Sequence, residues 1–269
     1  RPVGVKSGGR VTIIHHPDVR RMLMAMKASN EAMRALAYAV AQYLDLARHH
    51  PDPDIRRHQQ ARVDLLIPVV KGWLSETGIE VASLGVQIHG GMGFIEETGT
   101  CQHLRDSRIT TIYEGTTGIQ AADLAGRKLN MDQGATMRAL IAEIETTADE
   151  LGRQPGDDLA AIRAGLRAGV TALADATDWM LETRAAEEAM AVSVDYLMLA
   201  GFVCGGWQLA RSANIAQQKL KHGRDSSFYE AKLVTARFYA EHLLPKADAL
   251  RASIKNGGVS ILALTEDQF

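Results

Sequence analysis

The chain has 269 residues, 46% of them apolar, and a formal charge of −2 at pH 7. This length can bury the core of one large or two modest domains, and the near-neutral charge does not indicate a nucleic-acid-binding protein. The two cysteines, Cys101 and Cys204, do not indicate a disulfide framework, so a reducing, cytoplasmic location is expected. The sequence begins at Arg1 with neither an initiator methionine nor a targeting segment, and we expect a fragment of a longer protein.

The composition favours helices, since prolines and aromatic residues are few while alanine, leucine and methionine are plentiful. We therefore predict an all-α fold. His16-Pro17-Asp18 is typical of a helix start, and the helical spacing of apolar residues continues to about Arg48. The segment 32–46 is apolar on most sides, which predicts a central helix of a bundle.

Asp52-Pro53-Asp54 repeats the start signal and predicts a second helix over 55–74, in which Pro68 should kink the axis. A third, shorter helix is predicted over 78–89. It leads into a glycine loop, Gln87-Ile-His-Gly-Gly-Met-Gly-Phe94, whose glycines allow the backbone to approach a ligand closely. The loop lacks the Lys-Ser/Thr of a P-loop and follows a helix, so alone it indicates neither a Walker motif nor a dinucleotide fingerprint.

Glu114 is the best catalytic candidate of the chain. It lies between a β-like apolar stretch, 109–113, and a helix predicted over 117–128. Backbone amides at a helix start are unpaired, so Gly115 and Thr116 beside this carboxylate suit an anionic ligand. A base next to an anion site favours carbanion chemistry on a phosphorylated carrier or beside a nucleotide cofactor. On spacing alone, however, a purely structural role at the helix N-terminus carries more weight.

After Leu129 a polar break, 130–134, predicts a domain boundary near Asn130. Beyond it the pattern predicts a second bundle of helices over 135–151, 158–186, 190–221 and 227–251, with a loop over 222–225. The apolar run 198–210 is interrupted or flanked by several polar and glycine residues, so no membrane span is expected.

Two segments, 15–18 and 49–58, are rich in histidine and aspartate but lack a known ligand spacing. Charges that complement helix dipoles explain them better, and no metal site is expected. A nucleophile elbow of the Gly-x-Ser-x-Gly type does not occur either, so covalent catalysis is not expected.

Taken together, the glycine loop 87–94, Glu97, the segment 105–109 and Ile112-Tyr-Glu-Gly-Thr116 resemble the carboxyl-terminal helical domain of acyl-CoA dehydrogenases. The remainder is similar to an extra helical domain in a subgroup that includes methylthiopropionyl-CoA dehydrogenase and FadE-type enzymes. The resemblance implies two helical bundles. Residues 1–130 would be the family's carboxyl-terminal domain without its first helix, and residues 131–269 the appended domain.

The resemblance implies a role for each residue around the candidate base. Glu114 would remove the α-proton of an acyl-CoA thioester while the β-hydride passes to FAD, which yields a trans-2-enoyl-CoA. Tyr113 and Gly115 would line the acyl slot beside it, and Thr116 would hydrogen-bond the FAD. Gly118 departs from the polar residue found in many relatives, which puts a flavin contact there in doubt.

The resemblance also implies that Gln87, Gly90 and Gly91 contact FAD held by a neighbouring subunit, and therefore a homodimer or higher homo-oligomer. Arg105 and Asp106 match a pair that we interpret as structural. The family's amino-terminal and β-barrel domains are not represented in the sequence, so the isolated chain is expected to be inactive and to bind FAD weakly.

Electron-transfer flavoprotein is the electron acceptor expected for such a dehydrogenase, in fatty-acid β-oxidation. Two alternatives remain open. The enzyme could be an acyl-CoA oxidase that returns electrons to oxygen, or the region after Asn130 could be a non-catalytic helical module for oligomerisation or partner binding.

Overall fold

The computed structural model describes residues 10–183, 186–221, 223 and 225–269. Within these ranges the regular elements are helical and no strand occurs, which confirms the all-α prediction. Their α-helices are α1 (Pro17–His49), α2 (Pro53–His89), α3 (Gly91–Phe94), α4 (Thr100–Ser107), α5 (Thr117–Ala122), α6 (Ala135–Leu151), α7 (Asp157–Glu182), α8 (Ala186–Ala191), α9 (Ser193–Leu220), α10 (Ser226–His242) and α11 (Lys246–Ile261). Short 3-10 turns occupy Ile13–His15, Glu96–Thr98, Arg108–Thr111 and Glu266–Gln268, and a π-helical turn occupies Asp123–Lys128.

The first helix agrees with its prediction, whereas the two helices predicted over 55–74 and 78–89 are one continuous helix of 37 residues, α2. The helix runs through Pro68 and through the expected break. Thr77 in that break is 2% exposed, so tertiary packing outweighs its weak intrinsic preference for helix. Asp52 begins α2 as predicted, and its carboxylate accepts a hydrogen bond from the Asp54 amide at 2.8 Å.

The β-like stretch 109–113 is not a strand, and that expectation was wrong. It forms the 3-10 turn Arg108–Thr111 and a bend, with Ile109 about half exposed and no neighbouring strand among the described residues. β-Branched residues favour a strand only where a sheet is present to pack them. The helix predicted over 117–128 begins at Thr117 as expected and changes to a π-helical turn at Asp123.

In the second half, α6 agrees with its prediction, whereas α7 ends at Glu182 rather than near 186, because Thr183 is extended. Two longer predictions were wrong because each segment is divided into two helices, and the last helix continues beyond 251 to Ile261. The segment 190–221 is divided at Val192, where φ is −104° and ψ is 8°, into α8 and α9. The segment 227–251 is divided before Pro245, which cannot donate a helical hydrogen bond and precedes α11. Of the loop predicted over 222–225, His222 and Arg224 lie outside the described residues.

Helix α9 lies at the centre of the molecule. It is buried along most of its length and packs against α1 and α2 of the first predicted bundle and against α7, α10 and α11 of the second. The buried apolar side chains of both halves form one continuous core. The domain boundary near Asn130 stays a prediction. None of the described helices combines the length and the apolarity that a membrane crossing requires.

The contact between α2 and α9 depends on glycine. Trp73 of α2 is fully buried and lies over Gly201 and Gly205 of α9. A Cβ at Gly201 would lie 2.1 Å from Trp73 Cγ, and one at Gly205 would lie 2.5 Å from Trp73 Cη2. Real Cβ atoms do not approach other carbon atoms so closely, so the indole ring requires both glycines.

Substituting Gly201→Ala is expected to lower the free energy of unfolding of the chain by roughly 3 kcal/mol, because the new methyl group overlaps a ring that cannot move aside in a packed core. The matched control is Gly85→Ala in α2, where the nearest atom would be Met26 Cε at 3.9 Å. That change should be neutral or stabilise the helix by up to about 1 kcal/mol. Urea titration followed by circular dichroism measures both, and equal stability of the two variants would contradict the expectation.

Candidate active site

Glu114 lies on the short connection between the 3-10 turn Arg108–Thr111 and α5, and its side chain is exposed. Its φ is +53°, and that of the following Gly115 is +89°. The left-handed conformation costs a non-glycine residue about 1–2 kcal/mol. Such strain persists only where the surroundings enforce it, and it is concentrated at functional sites.

The surroundings of Glu114 supply three hydrogen bonds to the backbone of this segment. The Lys71 ammonium, on α2, donates to the carbonyl oxygens of Thr110 at 2.9 Å and of Gly115 at 2.5 Å. The Gln120 amide donates to the carbonyl oxygen of Glu114 at 3.4 Å, a longer and weaker contact. The positive φ values are therefore held by contacts from two helices.

A further contact fixes the start of α5. Thr117 donates its hydroxyl proton to the carboxylate of Glu76 on α2 at 2.6 Å. Thr116 is the N-cap, and its hydroxyl oxygen accepts from the amide of Ile119 at 3.2 Å. Because the Thr116 side chain is exposed and donates to no described residue, its proton is free for a ligand.

Glu114 and Tyr113 line one side of an open cleft of about 380 Å³. Residues of α2 between Val70 and Gly78 also line it, together with Ser107 and Thr110. Tyr113 is 50% exposed, so its ring is available to a ligand in the cleft. Tyr113 and Glu114, which are adjacent in the chain, thus line the same cleft, and Gly115 follows them directly.

The three glycines of the loop 87–94 differ in backbone conformation and in packing. Gly90 ends α2 with φ +61°, a conformation that favours glycine. A Cβ at Gly93 would lie 2.4 Å from the carbonyl oxygen of Val86, so packing requires glycine there. Gly91 has neither a positive φ nor a neighbour within 4 Å of a Cβ. The exposed backbone at Gly90 and Gly91, beside the exposed Gln87, fits the close approach of a large cofactor.

The glycine loop and Glu114 lie at different positions along α2. Gly78 lines the cleft beside Glu114, and Gly90 follows twelve residues later, which corresponds to about 18 Å along the helix axis. The structure therefore does not bring Gln87, Gly90 and Gly91 to the same place as Tyr113, Glu114, Gly115 and Thr116.

Arg105 differs from the sequence-based interpretation in its partner. Its guanidinium pairs with the Glu96 carboxylate at 2.9 Å rather than with Asp106, and this hydrogen bond raises the pKa of Arg105. Beside this pair, Phe94 is 80% exposed. In the part of the chain that the structure describes, no three His, Cys, Asp or Glu side chains are grouped closely enough to hold a metal ion.

Sequence reasoning missed Lys71. A single lysine among the apolar residues of α2 looks like an ordinary surface residue, and only the fold shows that its ammonium reaches the connection before α5. No local signal in the sequence identifies it, because the contacts join residues that are 39 and 44 positions apart.

Two family descriptions match the sequence. "Acyl-CoA dehydrogenase, C-terminal domain" matches residues 5–129, and "Acetyl-CoA dehydrogenase C-terminal like" matches residues 140–265. The 3-methylmercaptopropionyl-CoA dehydrogenase of Ruegeria pomeroyi is 46% identical over 97% of this chain and 45% of its own length. The broad-specificity linear acyl-CoA dehydrogenase FadE5 of Mycobacterium tuberculosis is 34% identical over 98% of this chain and 45% of its own length. The chain thus spans a little under half the length of these relatives.

Solved structures show the same fold. An acyl-CoA dehydrogenase from Bacillus anthracis, solved with FAD, superposes with a TM-score of 0.71 at 17% identity and covers 93% of this chain and 44% of its own. Caenorhabditis elegans ACDH-11, solved with C11-CoA, superposes with a TM-score of 0.65 at 20% identity and covers 87% of this chain and 38% of its own.

Two substitutions of Glu114 measure the strain in its backbone without involving its carboxylate. Glu114→Gly removes the Cβ that opposes the left-handed conformation, and glycine's greater freedom in the unfolded chain offsets part of the gain. We expect Glu114→Gly to be more stable than Glu114→Ala, which keeps the Cβ, by about 0.5–1 kcal/mol. Urea denaturation of the two variants measures the difference. Equal stability would mean that the left-handed residue stores no strain.

Proposed function

The chain belongs to the acyl-CoA dehydrogenase family, and we propose that it is the carboxyl-terminal part of an FAD-dependent enzyme that oxidises an acyl-CoA thioester to a trans-2-enoyl-CoA. The observation that carries the proposal is Glu114, an exposed carboxylate held in a left-handed conformation on the wall of a cleft. Backbone strain of this kind is concentrated at functional sites, and a base must project into the space that a substrate occupies.

In the proposed reaction the Glu114 carboxylate takes the α-proton of the thioester, and the C–H electron pair becomes part of the new double bond. FAD, when bound in the whole enzyme, supplies the acceptor for the β-hydride. Tyr113 lines the cleft and Gly115 keeps the backbone beside it free of a side chain, so both would contact the acyl chain. The open cleft implies that other parts of the enzyme cover it and exclude water.

Four residues are proposed to contact FAD. Thr116 has a free hydroxyl proton beside the base, and Gln87, Gly90 and Gly91 present open backbone and side-chain groups at the far end of α2. The separation of about 18 Å along α2 favours the view that the glycine loop serves the cofactor of a second subunit. A homodimer or higher homo-oligomer is therefore part of the proposal.

The substrate class is proposed from the relatives. Their names point to 3-methylmercaptopropionyl-CoA and to linear acyl-CoA thioesters, which form the first panel to assay. Electron-transfer flavoprotein is the proposed acceptor, and peroxide formed in step with enoyl-CoA would instead identify an oxidase. Because the chain spans a little under half the length of these relatives, we propose that most contacts to the flavin come from the rest of the enzyme, and that this chain alone binds FAD weakly and is inactive.

Glu114→Gln in the full-length parent enzyme tests the base. The amide keeps the size of the side chain but cannot accept the proton, so bleaching of the flavin by acyl-CoA under anaerobic conditions should slow by roughly 10²–10⁴-fold. Bound FAD, measured from the visible spectrum, should not change. The control is Glu145→Gln, on the exposed side of α6. If Glu114→Gln bleaches as fast as the control, the base lies elsewhere.

Gly91→Ala in the same enzyme tests the glycine loop. Space and backbone angle permit the methyl group, so the thermal midpoint should match that of Gly85→Ala, yet the methyl lies where the cofactor is proposed to approach. FAD should bind roughly tenfold more weakly, about 1.4 kcal/mol. Gly93→Ala, which overlaps the Val86 carbonyl, should lower the thermal midpoint instead. Unchanged FAD affinity in Gly91→Ala would remove Gly91 from the contacts.

A further inference from the structure

Lys71 donates hydrogen bonds to the backbone on both sides of the proposed base. Its ammonium donates to the carbonyl of Thr110, four residues before Glu114, and to that of Gly115, one residue after it. The side chain is half-buried, and within the described residues it forms no ion pair with a carboxylate. Its charge is thus directed at two backbone carbonyls of one loop, and hydrogen bonds from a charged donor are about twice as strong as neutral ones.

We infer that Lys71 is a positioning residue for proton abstraction, because it holds the connection 110–115 so that the Glu114 carboxylate stays on the wall of the cleft. The inference rests on the proposed function of Glu114. Lys71 touches neither the carboxylate nor, in this proposal, the substrate. It acts through the backbone on both sides of the base.

The local backbone makes such a clamp necessary. Gly115 has φ +89° and, as a glycine, can leave that conformation at little cost. Glu114 has φ +53°, and its Cβ makes this left-handed conformation less stable than a right-handed one. The Gln120 contact at 3.4 Å is weak, and the Thr117–Glu76 hydrogen bond acts only downstream of the base. Without Lys71 the connection would therefore relax and move the carboxylate, and a displacement of about 1 Å can slow a reaction about 100-fold.

The choice of α2 as the support is consistent with this role. Trp73, two residues after Lys71, is fully buried and packs closely against α9, which fixes the position of this part of α2 in the core. Lys71 points away from that buried face towards the cleft. A functional side chain is held most accurately by a rigid helix that a packed core supports.

The test uses four variants of the full-length, FAD-loaded enzyme. Lys71→Met keeps an unbranched side chain that is one atom shorter and removes the donors, whereas Lys71→Arg keeps a charged donor that can reach two carbonyls. Lys128→Met is the control, since it removes another lysine of low exposure, which pairs with Asp64 at 3.6 Å and lies outside the cleft. Glu114→Gln reports separately on the base.

Anaerobic stopped-flow measurement of flavin bleaching gives the rate of reduction and the dissociation constant of the acyl-CoA. For Lys71→Met we expect a rate about 100-fold lower, with the dissociation constant changed by no more than about threefold. Lys71→Arg should recover about tenfold of the lost rate, and Lys128→Met should reduce its flavin at the wild-type rate. Hydrogen exchange should become faster in residues 108–116 of Lys71→Met and stay unchanged there in Lys128→Met.

The outcomes distinguish the assignment of Glu114 as the base from the positioning role of Lys71. If Glu114→Gln is inactive but Lys71→Met is reduced at the wild-type rate, the proposed base stands and the role of Lys71 is overturned. If Glu114→Gln stays active, the base is wrongly assigned and the role of Lys71 falls with it. If Lys71→Met does not fold, the shorter and uncharged Lys71→Gln replaces it: a lower rate with faster exchange in 108–116 supports the inference, and wild-type values of both overturn it.

Discussion

The packing of Trp73 on Gly201 and Gly205 sets how closely, and in which register, α2 and α9 meet. That register has consequences beyond the core. One side of α2 is fixed against α9, and the other carries Lys71, which bonds to the connection that holds Glu114. Helix α2 is therefore the layer between the apolar core and the cleft. If the indole ring shifted, α2 would shift with it, and Lys71 would then displace the connection that carries the proposed base.

The site combines strain with openness. Glu114 keeps a conformation that costs free energy, and three hydrogen bonds from α2 and α5 compensate for it. At the C-terminal end of α2, Gly90 and Gly91 leave backbone uncovered, although Gly93 is buried and has no room for a Cβ. At both places the chain gives up some stability, and both coincide with residues for which a ligand contact is proposed.

Much of the fold could be predicted from the sequence because it depends on local signals. The apolar spacing of α1, the Asp52 cap and the start of α5 at Thr117 are all readable along the chain. The continuity of α2 through Pro68 and Thr77 could not be predicted, because it depends on burial against other helices. The turn at 109–113 was taken for strand because β-branched residues favour a sheet that this fold does not provide in its described residues. The residue types around Glu114 were predictable from their order, whereas Lys71, 43 positions earlier, is linked to them only through tertiary structure.

The unbroken course of α2 also constrains how the gene can vary. Each residue of an α-helix adds about 1.5 Å of rise and about 100° of rotation. One residue inserted between Gly78 and Gln87 would leave the cleft in place but turn the glycine loop by more than a quarter of a circle about the helix axis. Insertions and deletions in this stretch should therefore be selected against far more strongly than most substitutions, and length variation should be confined to the connections that precede and follow α2.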